Sequence, residues 1–213
     1  MPTLTNYRDA WLSKASIDYF APFISLWLAC NSWYRSHYSD LTQPNNPDKE
    51  ATDRDFINKL KTDFTRRNHL FKHFEDCLLG SDEKKKVSFK TNLELLLFSL
   101  NRAELQPERL KYKCSFEYML IDYSKKDETD GYINILANPR INKDNTVHKD
   151  DEDKVIKLDS KYIISDTKIV FAGLFEMIYQ IRNMVIHGHV KPEKDEHDVI
   201  KYCYLILSDL IGV

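Results

Sequence analysis

Between two long apolar segments the chain carries the stretch IRNMVIHGHV, from Ile181 to Val190. Arg182, Asn183 and His187 all hydrogen-bond readily to phosphate or carbonyl oxygen, and they cluster where a helix should stop at Gly188. On a helix, Asn183 and His187 lie one turn apart and point the same way. Arg182 sits about 100° round from Asn183. The three together can surround one small anion at the helix end. A plainer reading stands beside this: His187 interacts with the C-terminal dipole of its helix, and Arg182 pairs with a nearby carboxylate.

The helix that must carry these groups is SDTKIVFAGLFEMIYQIRNMVIHG. Ser165 or Asp166 serves as its N-cap, and Val170, Leu174, Met177, Ile178, Ile181 and Val185 step down one face. Gly188 takes the left-handed conformation that ends it. A last helix, EKDEHDVIKYCYLILSDLI, begins just after Pro192 with acidic residues near its positive end. Its apolar face holds Val199, Tyr202, Leu205, Ile206 and Leu210. A short connection makes these two helices antiparallel neighbours.

Upstream, Ser16 to Tyr38 reads as a helix with Phe20, Phe23, Ile24, Trp27, Leu28, Asn31 and Tyr34 on one face and Pro22 in its first turn. The turn-rich SDLTQPNNPDKE follows. A second helix is expected from Thr52 to about Leu79, stopped by GSD. VSFKTNLELLLFSLNRAEL and KYKCSFEYMLIDYSKK read as helices. GYINILANPRI and KVIKLDSKYI read as strands that pair in a small hairpin across the polar loop NKDNTVHKDDEDK. The expectation is a single domain over 1–213, a bundle of four to six helices, with a surface insertion at about 122–165. No internal repeat is visible.

Bulk properties set the outer limits. With 213 residues and 42% hydrophobic content the chain can bury a core, and five glycines and seven prolines suit long helices. A net charge of −2 argues against a broad nucleic-acid surface, yet leaves room for a small basic pocket. Cys30, Cys77, Cys114 and Cys203 are scattered without a CxxC pair, which points to reduced thiols in a cytoplasm. No signal peptide is expected in MPTLTNYRDA. Apolar runs such as LELLLFSL fall well short of the roughly 20 residues of a membrane span.

Asn31 intrudes on an apolar face and must be hydrogen-bonded, because a buried unpaired amide costs on the order of 1–3 kcal/mol. It either fixes the register of a neighbouring helix or supports Arg182 and His187 from behind. His187, His189 and His197 form a weak metal-ligand set, since neither a cysteine nor a cage-forming context accompanies them. The basic cluster EKKKVSFK reads first as a solvated face. Trp27, Trp33 and Tyr34 belong to a core or a dimer interface more readily than to a base-stacking platform. P-loop, GxGxxG and nucleophile-elbow patterns are not present.

The pattern Arg182-Asn183-x-x-x-His187 resembles the signature of the HEPN superfamily, the higher eukaryotes and prokaryotes nucleotide-binding domains. It lies near the end of the third bundle helix, before a short connection and a last helix. FISLWLACNSWYR is similar to the W-x-x-x-N-x-x-Y pattern that some bacterial HEPN families place on a first core helix, here Trp27, Asn31 and Tyr34. The resemblance covers roughly residues 1–80 and 160–213. It implies an all-α, up-and-down HEPN bundle and a metal-independent, cofactor-free endoribonuclease. It also implies a homodimer with two motifs lining one cleft, RNA as substrate, and no sequence-specific DNA binding. The setting implied is bacterial defence, stress or a toxin system, with an antitoxin or defence partner.

In that scheme His187 is general base on the 2′-OH or general acid on the leaving 5′-oxygen. Arg182 holds the scissile phosphate, and Asn183 orients His187 or donates to the phosphate. Asn31 and His189 are supporting residues, and no metal is used. One departure is that His189 stands where toxins of the R-x4-H-x-Y type carry a modifiable Tyr; it is either a second titrating group or a loop residue. The alternative function is a non-catalytic HEPN scaffold for dimerisation or for nucleotide or ligand sensing.

Overall fold

The computed structural model describes residues 18–103, 142–144, 146–158 and 162–212. Within them the chain is mainly helical. The described residues form six α-helices: α1 (Phe20–His37), α2 (Asp53–Thr62), α3 (His69–Leu79), α4 (Glu83–Arg102), α5 (Thr167–Ile186) and α6 (Lys194–Ile211). Two small antiparallel hairpins accompany them: β1 (Thr42–Gln43) with β2 (Asn46–Glu50), and β3 (Val155–Lys157) with β4 (Tyr162–Ile164).

Helix α5 is the central element. From Val170 to Ile181 nearly every side chain is buried, whichever way it points, and this includes Glu176 and Gln180. Such a helix has no solvent face over that stretch. By length and composition alone it is apolar enough to cross a membrane, but Glu176 and Arg182 interrupt its apolar runs and it is mostly buried inside the protein. Asp166 caps its start by accepting from the backbone of Lys168 and Ile169. Its end is a Schellman turn: Gly188 at φ +68 lets its own N–H reach the Val185 carbonyl and that of His189 reach Met184.

Helix α6 packs on α4, α1 and α3, whereas α5 packs on α2, α1 and α3. The two consecutive helices are therefore not each other's principal partners, which corrects the expectation drawn from their short connection. The buried face of α6 is Val199, Ile200, Cys203, Ile206, Leu207 and Leu210, with Tyr202 and Leu205 only half-buried. Each buried side chain of this kind contributes roughly 1.5–3 kcal/mol, against a few tenths for a surface i,i+4 pair. Packing thus decides where α6 docks.

The expected helix from Thr52 to Leu79 is two helices. Asn68, fully buried, separates them: its amide nitrogen donates to the carbonyls of Leu60 (3.2 Å) and Asp63 (2.7 Å), and its oxygen accepts from the Phe71 backbone (3.2 Å). One side chain closes the end of α2 and opens α3. On α1 the buried face is Phe23, Trp27, Cys30 and Tyr34, while Leu28 is exposed.

KVIKLDSKYI together with the following Ile164 supplies both strands of the β3–β4 hairpin, Val155 pairing with Ile164 and Lys157 with Tyr162. GYINILANPRI and KYKCSFEYMLIDYSKK lie outside the described residues, as does Cys114. Within the stretch read as a surface insertion, Ile156 and Leu158 are buried and join the main hydrophobic cluster. The turn-rich SDLTQPNNPDKE holds hairpin β1–β2, steadied by Gln43 Nε2 donating to the Glu50 carbonyl at 3.0 Å.

Candidate functional site

Arg182 lies one turn before the end of α5 and turns inward. Its Nη1 donates to Asn183 Oδ1 at 2.8 Å and faces Asp53 Oδ2 at 3.4 Å. Its guanidinium carbon lies 5.5 Å from the Trp27 ring centre and 6.0 Å from that of Tyr179. A planar cation held against aromatic faces and a carboxylate loses little further freedom when it grips an anion.

Asp53 organises the site. Thr52 is the N-cap of α2 and forms a reciprocal capping box with Asp55, which fixes Asp53 as the first helical residue. There its carboxylate meets the positive end of α2 and the face of α1. Oδ1 accepts from Asn31 Nδ2 at 2.9 Å and from the Tyr34 hydroxyl at 2.6 Å, with Arg35 Nη2 at 3.9 Å. Positions 27, 31, 34 and 35 share one side of α1, so that single helix face supplies the aromatic wall, two donors and a cation.

The electrostatics follow from this packing. Burial, the bond to Asp53 and the Asp53 charge together push the Tyr34 phenol well above its ordinary range, so it remains a donor. Burial and the same charge push the Cys30 thiol up to about 12. Two buried N–H donors here, Arg182 Nε of the guanidinium itself and Trp27 Nε1, meet no acceptor among the described residues. Unmatched donors of this type suit an acceptor oxygen.

The sequence expectation that Arg182, Asn183 and His187 jointly surround one anion is met only in part. Arg182 and Asn183 are bonded, and Asn31 reaches Arg182 through Asp53. His187 is the C-cap residue of α5, with its backbone N–H on the Asn183 carbonyl at 3.0 Å and its side chain in solvent. The imidazole makes no hydrogen bond to Arg182 or Asn183. Its ring instead lies 6.1 Å from that of His189, which is also exposed. His197 sits elsewhere, against Tyr19 and Phe20, so the three histidines do not converge. Among the described residues no three His, Cys, Asp or Glu side chains gather as metal ligands.

A buried carboxylate stands about one and a half turns up α5 from Arg182. Glu176 accepts from Arg54 Nη1 (2.9 and 2.7 Å), from Lys61 Nζ and from Gln180 Nε2 (2.7 Å). Burial opposes its charge, but these three donors outweigh that and hold its carboxyl below the ordinary 4.5. Arg54 also lies over Tyr179 at 4.3 Å, on the ring that borders Arg182.

Sequence reasoning missed both Asp53 and Glu176. The Thr52-x-x-Asp55 spacing marks the helix start that positions Asp53, yet no local signal says which helix it faces. Glu176 alone among the apolar residues of α5 was a sign that cations must come from another element.

Fold and site together define a mainly helical protein with an arginine–carboxylate network at the end of its central helix. Comparison of the chain with protein-family models, with curated proteins and with solved structures finds no match.

Proposed function

We propose that the chain is a metal-independent endoribonuclease with an up-and-down HEPN-type bundle, acting as a homodimer in a bacterial defence, stress or toxin setting. One observation carries this reading. The two motifs that resemble the HEPN pattern, far apart in sequence, meet through a single carboxylate: Trp27 flanks Arg182, while Asn31 and Tyr34 bond the Asp53 that faces it. A residue set selected only for packing has no need to unite those positions with an arginine.

The chemistry divides among the groups as follows. The 2′-oxygen of the RNA attacks the adjacent phosphorus and the 5′-oxygen leaves, giving a 2′,3′-cyclic phosphate and a 5′-hydroxyl. Arg182 bears the charge on the phosphate. Asp53 and Asn183 occupy only its Nη1, which leaves other guanidinium donors for an oxygen. His187, exposed one turn beyond Asn183, takes the 2′-OH proton or returns one to the leaving oxygen. The second subunit of a dimer brings another His187, so one ring serves as base and the other as acid. The test is incubation of purified protein with RNA, with and without candidate effectors. Cleavage lost in His187→Ala supports the reading; no cleavage under any condition, or equal cleavage by the variant, rejects it.

The Arg182–Asp53 pair itself favours a second reading: Arg182 is a structural ion-pair partner in a non-catalytic scaffold for dimerisation or ligand sensing. That reading predicts that His187→Ala changes no RNA-directed activity while Asp53→Ala unfolds the protein.

A further inference from the structure

Two more arginines stand beside Arg182, and the chemistry above leaves them unused. Arg35 lies with its guanidinium carbon 4.9 Å from the Phe56 ring centre, and Arg54 lies 4.3 Å from that of Tyr179. Each connects to Arg182 through a shared group: Arg35 through Asp53, Arg54 through the Tyr179 ring. Their side chains are 47% and 36% exposed, against 17% for Arg182. Arg54 commits only Nη1 to Glu176, and Arg35 holds Asp53 at no closer than 3.9 Å, so both keep free donors toward solvent. The neighbouring Asp55 is turned into its own capping box with Thr52. Arg35, Arg54, Lys61 and Arg182 therefore stand with three carboxylates, Asp53, Asp55 and Glu176, and one positive charge remains in excess on a face whose cations are already held in place.

We infer that Arg35 and Arg54 grip the RNA phosphates that flank the scissile one, forming a backbone track that runs across α1 and α2 to Arg182. This rests on the ribonuclease reading for the identity of the polymer. A stacked guanidinium is a rigid fork that suits a phosphate, and its freedom is already spent before the ligand arrives. The rings beneath, Phe56, Tyr179 and Trp27, are buried and cannot stack on bases. Contacts confined to phosphates carry no sequence information, so binding along this track is tolerant of sequence.

The experiment is fluorescence-anisotropy binding of a single-stranded oligoribonucleotide whose 2′-hydroxyls are O-methylated, so that the ligand cannot be cut, over a salt series. The proteins are the full-length chain, Arg35→Gln, Arg54→Gln, the double variant and Lys84→Gln. Circular dichroism and a thermal melt verify that each is folded, and if Arg54→Gln melts early Arg35→Gln is read alone, with a slope shallower by about 0.7 expected for one phosphate. The double variant should bind at least about tenfold more weakly, and its slope of log K against log salt should be shallower by about 1.4, the value for two phosphates on a single strand. Lys84→Gln, from the separate basic cluster on α4, should bind like the parent. Equal affinity and slope in parent and double variant, or an equal loss in Lys84→Gln, overturns the track. Binding with this pattern but without cleavage of the matching all-RNA strand keeps the track and removes the ribonuclease reading. Cleavage with an unchanged double variant does the reverse.

Discussion

Asp53 Oδ2 lies 3.4 Å from Arg182 Nη1, and this contact ties the first residue of α2 to the last full turn of α5. The carboxylate also accepts from Asn31 and Tyr34, so removing it strands three donors in a partly buried place. Asp53→Ala should destabilise the fold by roughly 2–4 kcal/mol in urea unfolding, and Asp53→Asn by less, because an amide oxygen still accepts. A double-mutant cycle with Arg182→Gln should give a coupling of about 1 kcal/mol or more. Additive losses would mean that the contact is incidental.

Activity and stability should separate at His187 and merge at Arg182. His187 is exposed, so His187→Ala should leave the midpoint of unfolding within about 0.5 kcal/mol of the parent while RNA cleavage disappears. Arg182→Ala both loses the phosphate contact and uncovers Asp53. Arg182→Lys is the cleaner variant: it should stay folded, yet lose about 100-fold in rate, because an ammonium cannot reproduce the fork. These rates are read from a fluorogenic RNA, with circular dichroism on the same samples.

Asn68 makes three bonds that close one helix and begin the next. Asn68→Ala should cost about 2–3 kcal/mol, combining a lost cap with two carbonyls left short of a donor. Asn68→Asp should cost a similar amount, since it keeps the acceptor for Phe71 but loses both donations. Chemical denaturation followed by tryptophan fluorescence would measure it.

Acid should loosen the α2–α5 contact. The Glu176 carboxyl is held below 4.5 by Lys61, Gln180 and Arg54. A lowered folded-state value means stability that is present above about 4.5 and is lost as pH falls through the lowered value. Glu176→Gln should therefore flatten the drop in melting temperature in that acidic window and lower stability at pH 7. Parallel pH profiles of the parent and Glu176→Gln would refute this assignment.

Cys30 should be inert in the native state. It is fully buried, and burial with the Asp53 charge raises its thiol to about 12. Iodoacetamide at pH 8 followed by peptide mapping should label Cys30 only after unfolding, and Asp53→Asn alone should not expose it. Labelling at the unfolded rate in native buffer would contradict the packing of α1.

What the sequence determined by itself was periodicity and punctuation. The helical spans of α1, α5 and α6, the cap at Asp166 and the stop at Gly188 are local matters of side-chain spacing and backbone conformation. They were legible in Val170 to Ile181 and in the glycine that alone relaxes comfortably at φ +68. Tertiary structure decided the pairings. That α6 leans on α4 rather than chiefly on α5, that Asn68 splits a continuous stripe into two helices, and that Asn31, Tyr34 and Arg182 share Asp53 all depend on contacts between residues distant in sequence. A hydrophobic pattern tells a helix which face to bury but not against what. A charged side chain is located only when the packed helices bring its counterion within reach, as Asp53 does for Arg182 and as Arg54 and Lys61 do for Glu176.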